Sequence, residues 1–182
     1  MALSREARRV ELRPHSAEWG EQAAVEAARV AGVLGDGLIA IHHVGSTAVP
    51  GILAKPILDL LPEVRTLAVL DRAAPRLEAL GYEWRGEFGI AGRRYCTWDD
   101  PATGARRVHL HGFAAGHPEA ERMLAFRDYL RAHPEVARAY EAEKIRCRAL
   151  HADDTTAYAE AKTEWIRTYD AVALAFRRAR HP

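Results

Sequence analysis

An apolar run, Leu38 to Val44, ends in Gly45-Ser46, and a Gly/Pro loop then leads to a second apolar run that carries a single carboxylate, Asp59. Gly45 adds no side chain, so the turn can bring backbone N–H groups close to a phosphate. The strand that follows can present Asp59 to a cation that the same phosphates touch. This is the layout of a nucleotide-binding site, with Gly45, Ser46 and Lys55 as candidate phosphate contacts. It is not a P-loop, because the Gly-x4-Gly-Lys-Ser/Thr spacing is absent.

Strand alternation sorts a second group of candidates. In Arg107-Val108-His109-Leu110-His111, residues 107, 109 and 111 share one face and the two apolar residues share the other. His-x-His on a strand presents two imidazoles to one metal. With Arg107 beside them, an anion is as natural a ligand as a metal.

The choice of cations is informative. The chain has 23 Arg, three Lys and no Asn. A compact ammonium is not equivalent to a guanidinium fork, so Lys55, Lys144 and Lys162 stand out in an Arg-dominated chain. Tyr158 and Lys162 are four apart and share a helical face; Lys162 is a candidate catalytic group. Arg93 and Arg94 before Tyr95, Arg127 in FRDYL, and Lys144 are further candidates for phosphate contacts, although any one basic residue on a helix is more often a solvated charge. His43 adjoins the Gly-Ser turn and has a better claim than His42, His117, His133 or His151. The tail Arg177-Arg178-Ala179-Arg180 complements a helix dipole. It lacks the aromatic interleaving or wider stripe of a nucleic-acid footprint.

The segment HVGSTAVPGILAKPILDLL resembles the signature of the GrpB (glutamate-rich protein B-like) family. GRRYCTWDD, RRVHLHGF, LAFRDYLRAHPE and YAEAKTEWI fit the same family, and each lysine falls in a segment that matches it. That family is similar to the nucleotidyltransferase superfamily, whose hallmark is a Gly-Ser turn followed by a strand reading Asp-x-Asp. The resemblance implies a nucleotidyltransferase-like mixed β-sheet flanked by helices. It implies a nucleotide or other phosphorylated small molecule as partner, with Mg2+ or Mn2+ on Asp59. It also implies that the Asp59 and His109 strands are neighbours, which would make Asp59, His109 and His111 a metal-ligand set, with Zn2+ as the alternative ion.

The sequence departs from the superfamily pattern at one position. Two-metal chemistry needs a second carboxylate on the face of Asp59, at 61, and residue 61 is Leu. Glu63 lies about 7 Å farther along an ideal strand. Three readings follow: nucleotidyl transfer with a nonstandard metal partner, a non-catalytic nucleotide or phospho-ligand binding module, and a His/His/Asp single-metal hydrolase. Relatives fused to dephospho-coenzyme A kinase hint at coenzyme A or nucleotide metabolism, but this chain lacks that kinase's P-loop. Substrate, acceptor and oligomeric state stay open.

These groups need a scaffold. At 182 residues with a net charge of +1, one domain over 1–182 is expected, with no overall field for nucleic acid or membrane. No apolar run nears the roughly 18 residues that span a bilayer, and MALSREARRVELR lacks an apolar signal core, so cytoplasm is the expected location. Cys96 and Cys147 are expected to be free thiols. The pattern predicts an edge strand over Arg9 to Arg13, then a helix capped by Ser16 and running to Leu34. A buried strand follows from Leu38 to Val44, and another from Ile57 to Val64. Thr66 is expected to cap a helix with Leu67, Leu70, Ala74, Leu77 and Leu80 on its apolar side. Strands are expected over Tyr82 to Phe88, Arg93 to Trp98 and Arg106 to Phe113. Helices are expected over Pro118 to Ala132, Pro134 to Leu150 and Thr155 to Arg180. The fold class is α+β, bordering on α/β, with a helical C-terminal region.

Overall fold

A computed structural model of the chain describes residues 9–180. Strand β1 (Leu38–Val44) pairs antiparallel with β2 (Leu58–Val64), and β2 runs parallel to β5 (Arg106–Ala114). Strand β4 (Arg94–Asp99) pairs antiparallel with β5 and with the short β3 (Tyr82–Trp84). The sheet order is β1-β2-β5-β4-β3. Five α-helices accompany it among the described residues: α1 (Glu18–Leu34), α2 (Leu67–Ala79), α3 (Pro118–Ala132), α4 (Pro134–Leu150) and α5 (Thr155–Arg180). No helix among them is long and apolar enough to cross a membrane. The N-terminal residues read for a targeting signal lie largely outside the described residues.

Alternation divides the sheet by function. Leu58, Leu60 and Val64 of β2, with Cys96, Val108 and Leu110, point toward α1 and α2 and form the main core with Trp19, Val30, Leu70 and Leu77. The opposite face is split. Val44, Leu61 and Phe113 pack under Ala120 and Leu124 of α3, whereas Asp59, Tyr95, His109 and His111 occupy the other end of that face. Leu61 is fully buried. The position of a second carboxylate is therefore core, and burying an unpaired charge there would be expensive. One further apolar cluster binds the C-terminal helices to the loop between β1 and β2, where Val49 and Ile52 meet Leu130, Ala137 and Tyr140; another binds the segment before α1, where Val10 meets Cys147 and Tyr158.

The C-terminal helices have the bounds expected of them, with Pro118 and Pro134 in their first turns, where a missing N–H costs nothing. Other expectations are corrected. Arg9 to Arg13 forms no strand: Val10 N–H donates to Ala152 O (2.7 Å), while Arg13 bridges to Ala54. Bonds divided between two partners leave no continuous ladder. Strand β1 is an edge strand with only Val44 fully buried, and Ile39 is 54% exposed. The strand expected to reach Phe88 stops at Trp84, because Gly86, Phe88 and Gly89 all take positive φ and turn the chain. Ser16 Oγ accepts from Glu18 N–H (3.3 Å), but Thr66 makes no side-chain cap. The buried face of α2 is Val69, Leu70, Ala73 and Leu77.

Candidate functional site

The site begins at the end of β1. Gly45 has φ of 72°, and a Cβ at this position would collide with Asp59 Oδ2. Glycine is required twice here, for the left-handed turn and for the approach of the carboxylate. Ser46–Ala48 follow as a single 3-10 turn. Thr47 Oγ–H donates to Ile57 O (3.2 Å) and so holds the two ends of the loop together. That hydroxyl has only one hydrogen. His43 Nε2, at 2.9 Å, must therefore donate to Thr47 Oγ, which fixes the imidazole tautomer. Burial lowers the His43 pKa to about 4, so the ring stays neutral at physiological pH. His43 supports the turn from behind; it does not line the cavity in front of it.

Sheet register assembles the metal-type donors. Asp59 on β2 stands opposite His109 on the parallel strand β5. Asp59 Oδ1 lies 3.1 Å from His109 Nδ1 and 3.2 Å from His111 Nε2. One ligand atom from each residue falls within 4.8 Å of the others. Burial favours a neutral Asp59, but the hydrogen bonds from His109 and His111 outweigh it and hold the carboxyl well below the usual carboxylate range. Burial pushes the His109 pKa down against the pull of Asp59. His111 Nδ1 is buried without a hydrogen-bond partner among the described residues. Tyr95 backs both rings, with centroids 5.6 Å from His109 and 5.2 Å from His111.

Two nitrogens and one carboxylate oxygen suit a borderline ion such as Zn2+, and the harder Mn2+ accepts the same mixed set less tightly. Mg2+ favours an all-oxygen octahedron, and among the described residues Asp59 is the only carboxylate in the cluster. Glu63 does not supply another, since it pairs with His42 Nε2 at 2.8 Å.

A cavity of about 240 Å³ opens beside Asp59 and His109, walled by Ser46, Thr47, Lys55, Ile57, Tyr95, Ala159 and Lys162. Lys55 and Lys162 both lie over the Tyr158 ring, at 5.4 and 5.3 Å from its centroid. Burial, then the neighbouring Lys162 charge, lowers the Lys55 pKa to about 8. Burial opposes the charge on Lys162, but Tyr140, Tyr158 and Asp59 outweigh it and keep its pKa above the ordinary lysine value. The cavity thus joins a carboxylate–imidazole cluster to two ammonium groups.

The structure brings together Gly45, Ser46, Lys55, Asp59, His109, His111 and Lys162. It does not bring the other candidates to this cavity. Arg94 faces α2, where its guanidinium grips Asp71 at 2.5 and 3.1 Å. Arg107 shares the face of His109 but lies 3.9 Å from Asp100, toward the start of β5. Arg127 donates to Asp128 (2.8 Å) and to His43 O (3.1 Å) from α3. Lys144 is 1% exposed, and its ammonium donates to Leu53 O. Period-two alternation found the groups on the sheet. It does not say which basic groups on helices reach the cavity. Thr47 and Tyr95 were missed as wall residues; the Gly-Ser-Thr turn and the alternation of β4 carried the signal for them.

The fold is nucleotidyltransferase-like. It matches the Cid1 poly(U) polymerase structure with bound MgGTP at a TM-score of 0.51 over 75% of this chain and 44% of that one; at 12% identity the likeness is one of fold alone. Within that class the chain belongs to the GrpB family, whose model, described as GrpB protein, matches residues 9–171. The crystal structure of GrpB from Enterococcus faecalis is similar over 92% of this chain and 99% of that one, with a TM-score of 0.84 and 33% identity. The UPF0157 protein YqkA of Bacillus subtilis is 40% identical over 174 residues, which is 96% of this chain and 50% of YqkA. A dephospho-CoA kinase of Mycolicibacterium paratuberculosis is 31% identical over 181 residues, 87% of this chain and 44% of that protein. The chain therefore spans about half the length of these two relatives.

Proposed function

We propose that the Asp59 cavity binds the phosphate end of a nucleotide or another phosphorylated small molecule beside one divalent transition-metal ion held by Asp59, His109 and His111. The convergence of Asp59 Oδ1 with His109 Nδ1 and His111 Nε2 carries this reading. The cavity of about 240 Å³ is smaller than the roughly 300 Å³ at which small-molecule pockets begin. It suits a phosphoryl group with the remainder of the ligand outside. Lys55 and Lys162 would offset phosphate charge, and Ser46 would donate from the turn. When bound, the ion would polarise a phosphoryl oxygen as a Lewis acid.

With this arrangement, transfer of a nucleotidyl group would run on one metal and two ammonium groups rather than on two metals, because Leu61 replaces the second carboxylate. A second reading, single-metal hydrolysis, is favoured by the donor set itself: three protein ligands leave open positions for water. A module that binds without turnover is the third outcome.

Titration calorimetry of metal-stripped protein tests the centre. Zn2+ or Mn2+ is expected to bind at one per chain and more tightly than Mg2+. Asp59→Asn and His109→Ala should each weaken binding by about tenfold or more. Equal affinity in these variants would place the ion elsewhere. Nucleotides and coenzyme A precursors added to the loaded protein, with products read by mass spectrometry, then separate transfer, hydrolysis and binding alone.

A further inference from the structure

A second, larger depression of about 650 Å³ lies between α3 and α5, and four arginines line it: Arg127 and Arg131 from α3, Arg177 and Arg180 from α5. The α3 pair is one turn apart, and so is the α5 pair, so each helix presents two guanidiniums on one face. Among the described residues one carboxylate, Asp128, lines the groove. It is already shared by Arg127 (2.8 Å) and Arg177 (2.5 Å), and Arg177 also reaches Glu121 at 3.2 Å.

The other two arginines differ. Arg131 donates through Nε to Ala48 O at 2.7 Å, a bond that brings no negative charge. Arg180 lies over the Phe176 ring, 5.3 Å from its centroid. Among the described residues neither has an ion-pair partner. Burial, followed by the charge of Arg127, pushes the Arg131 pKa down, and the nearby Asp128 charge offsets this only in part. The C-terminal ends of α3 and α5 supply dipoles that favour cations nearby, but those are partial charges. The excess of full positive charge remains.

A guanidinium offers a planar fork matched to phosphate oxygens. Guanidiniums with no ion-pair partner among the described residues stand on both walls of this groove, and its volume of about 650 Å³ has room for a chain of phosphoryl groups. We propose that the groove between α3 and α5 is an anion site for a small molecule bearing a di- or triphosphate, separate from the Asp59 cavity. The two share no lining residue; the turn at 45–48, held by Arg127 and Arg131, adjoins the groove, and on α5 Lys162 and Arg177 are 15 residues apart, about 22 Å along a helix axis. The inference does not rest on a metal at Asp59.

Calorimetry of the metal-stripped full chain with inorganic tripolyphosphate and with orthophosphate tests this. Tripolyphosphate should bind the wild type more tightly than orthophosphate. Arg131→Gln combined with Arg180→Gln should lower that affinity about tenfold or more, the factor equivalent to about 1.4 kcal/mol. Arg180→Gln alone, at an exposed helix end where folding is not at stake, should lower it about threefold or more. Arg76→Gln, which removes an exposed cation of α2 outside both cavities, should leave it within about twofold. No binding by the wild type at millimolar tripolyphosphate, or unchanged affinity in Arg180→Gln and the double variant, would overturn the proposal. Loss in Lys55→Gln alone would put the phosphate in the Asp59 cavity and overturn it equally. Tighter binding of a single-stranded oligonucleotide than of tripolyphosphate would make nucleic acid the occupant and remove the small-molecule assignment. A metal titration that fails at Asp59 leaves these outcomes untouched, so the two readings fail separately.

Discussion

Gly45 and Asp59 form one unit, since the carboxylate occupies the space that any side chain at 45 would need. Gly45→Ala adds a Cβ at a positive φ, which costs about 1–2 kcal/mol in backbone strain, and it also drives the carboxylate away from the histidines. Melting temperature and Zn2+ affinity should both fall. A melting loss with unchanged Zn2+ affinity would show that Asp59 can move aside and keep its role. Lys55 yields a second prediction at this scale. With its pKa lowered to about 8, its ammonium loses charge as pH rises through 8. Affinity for a phosphorylated ligand should therefore decline between about pH 7 and pH 9, and Lys55→Arg, which stays charged, should flatten that decline. A wild-type profile already flat over this range would remove Lys55 from the phosphate contacts.

At the scale of elements, the loop from Gly45 to Ile57 is held from two helices. Arg127 and Arg131 of α3 donate to His43 O and Ala48 O. Glu141 and Lys144 of α4 take the two sides of Leu53: the carboxylate accepts its N–H and the ammonium donates to its carbonyl. Arg127 and Lys144, which the sequence offers as phosphate contacts, each donate here to a backbone carbonyl, which helps to fix the loop that carries Lys55. Burial, then the charge of Lys162, lowers the Lys144 pKa to about 7. The unfolded chain thus binds more protons than the folded one between about pH 7 and the ordinary lysine value of 10.5, so stability should rise with pH across that window. The rise is on the order of a few kcal/mol. Chemical denaturation at pH 7 and pH 10 measures it. Lys144→Met, of similar length and uncharged, should abolish most of the rise, and a slope equal to the wild type's would assign it to other groups.

For the molecule as a whole, the sheet and the C-terminal helices meet at the cavity: β2, β4 and β5 supply Asp59, Tyr95 and His109, and α5 supplies Lys162. An ion at Asp59, His109 and His111 would tie two central strands together. Bound only by the folded state, it should stabilise by mass action, by about 2.7 kcal/mol at 100 times its dissociation constant. In a chain of this size that is a rise in melting temperature of about 5–10 °C. Thermal melting with and without Zn2+ measures it. Asp59→Asn should melt at the same temperature in both conditions, and an equal zinc-induced rise in that variant would sink the centre.

What the sequence determined by itself is local. The Gly-Ser turn, the strand carrying Asp59, the shared face of His109 and His111, and the three C-terminal helices with their proline starts depend on periods of 2 and 3.6 and on turn chemistry, all short-range properties of the chain. The resemblance to the GrpB signature was legible for a similar reason, because it lies mostly in one continuous segment. The destinations of the arginines and lysines were not legible. A long cation on a helix can reach several partners, and only packing decides among Asp71 for Arg94, Leu53 O for Lys144 and the α3–α5 groove for Arg127. Tertiary structure also made β1 an edge, left Arg9 to Arg13 without a ladder, and buried Leu61 where a second metal ligand would stand. Each of these depends on which surfaces meet across the sheet, and contacts between residues distant in sequence leave no trace in local pattern.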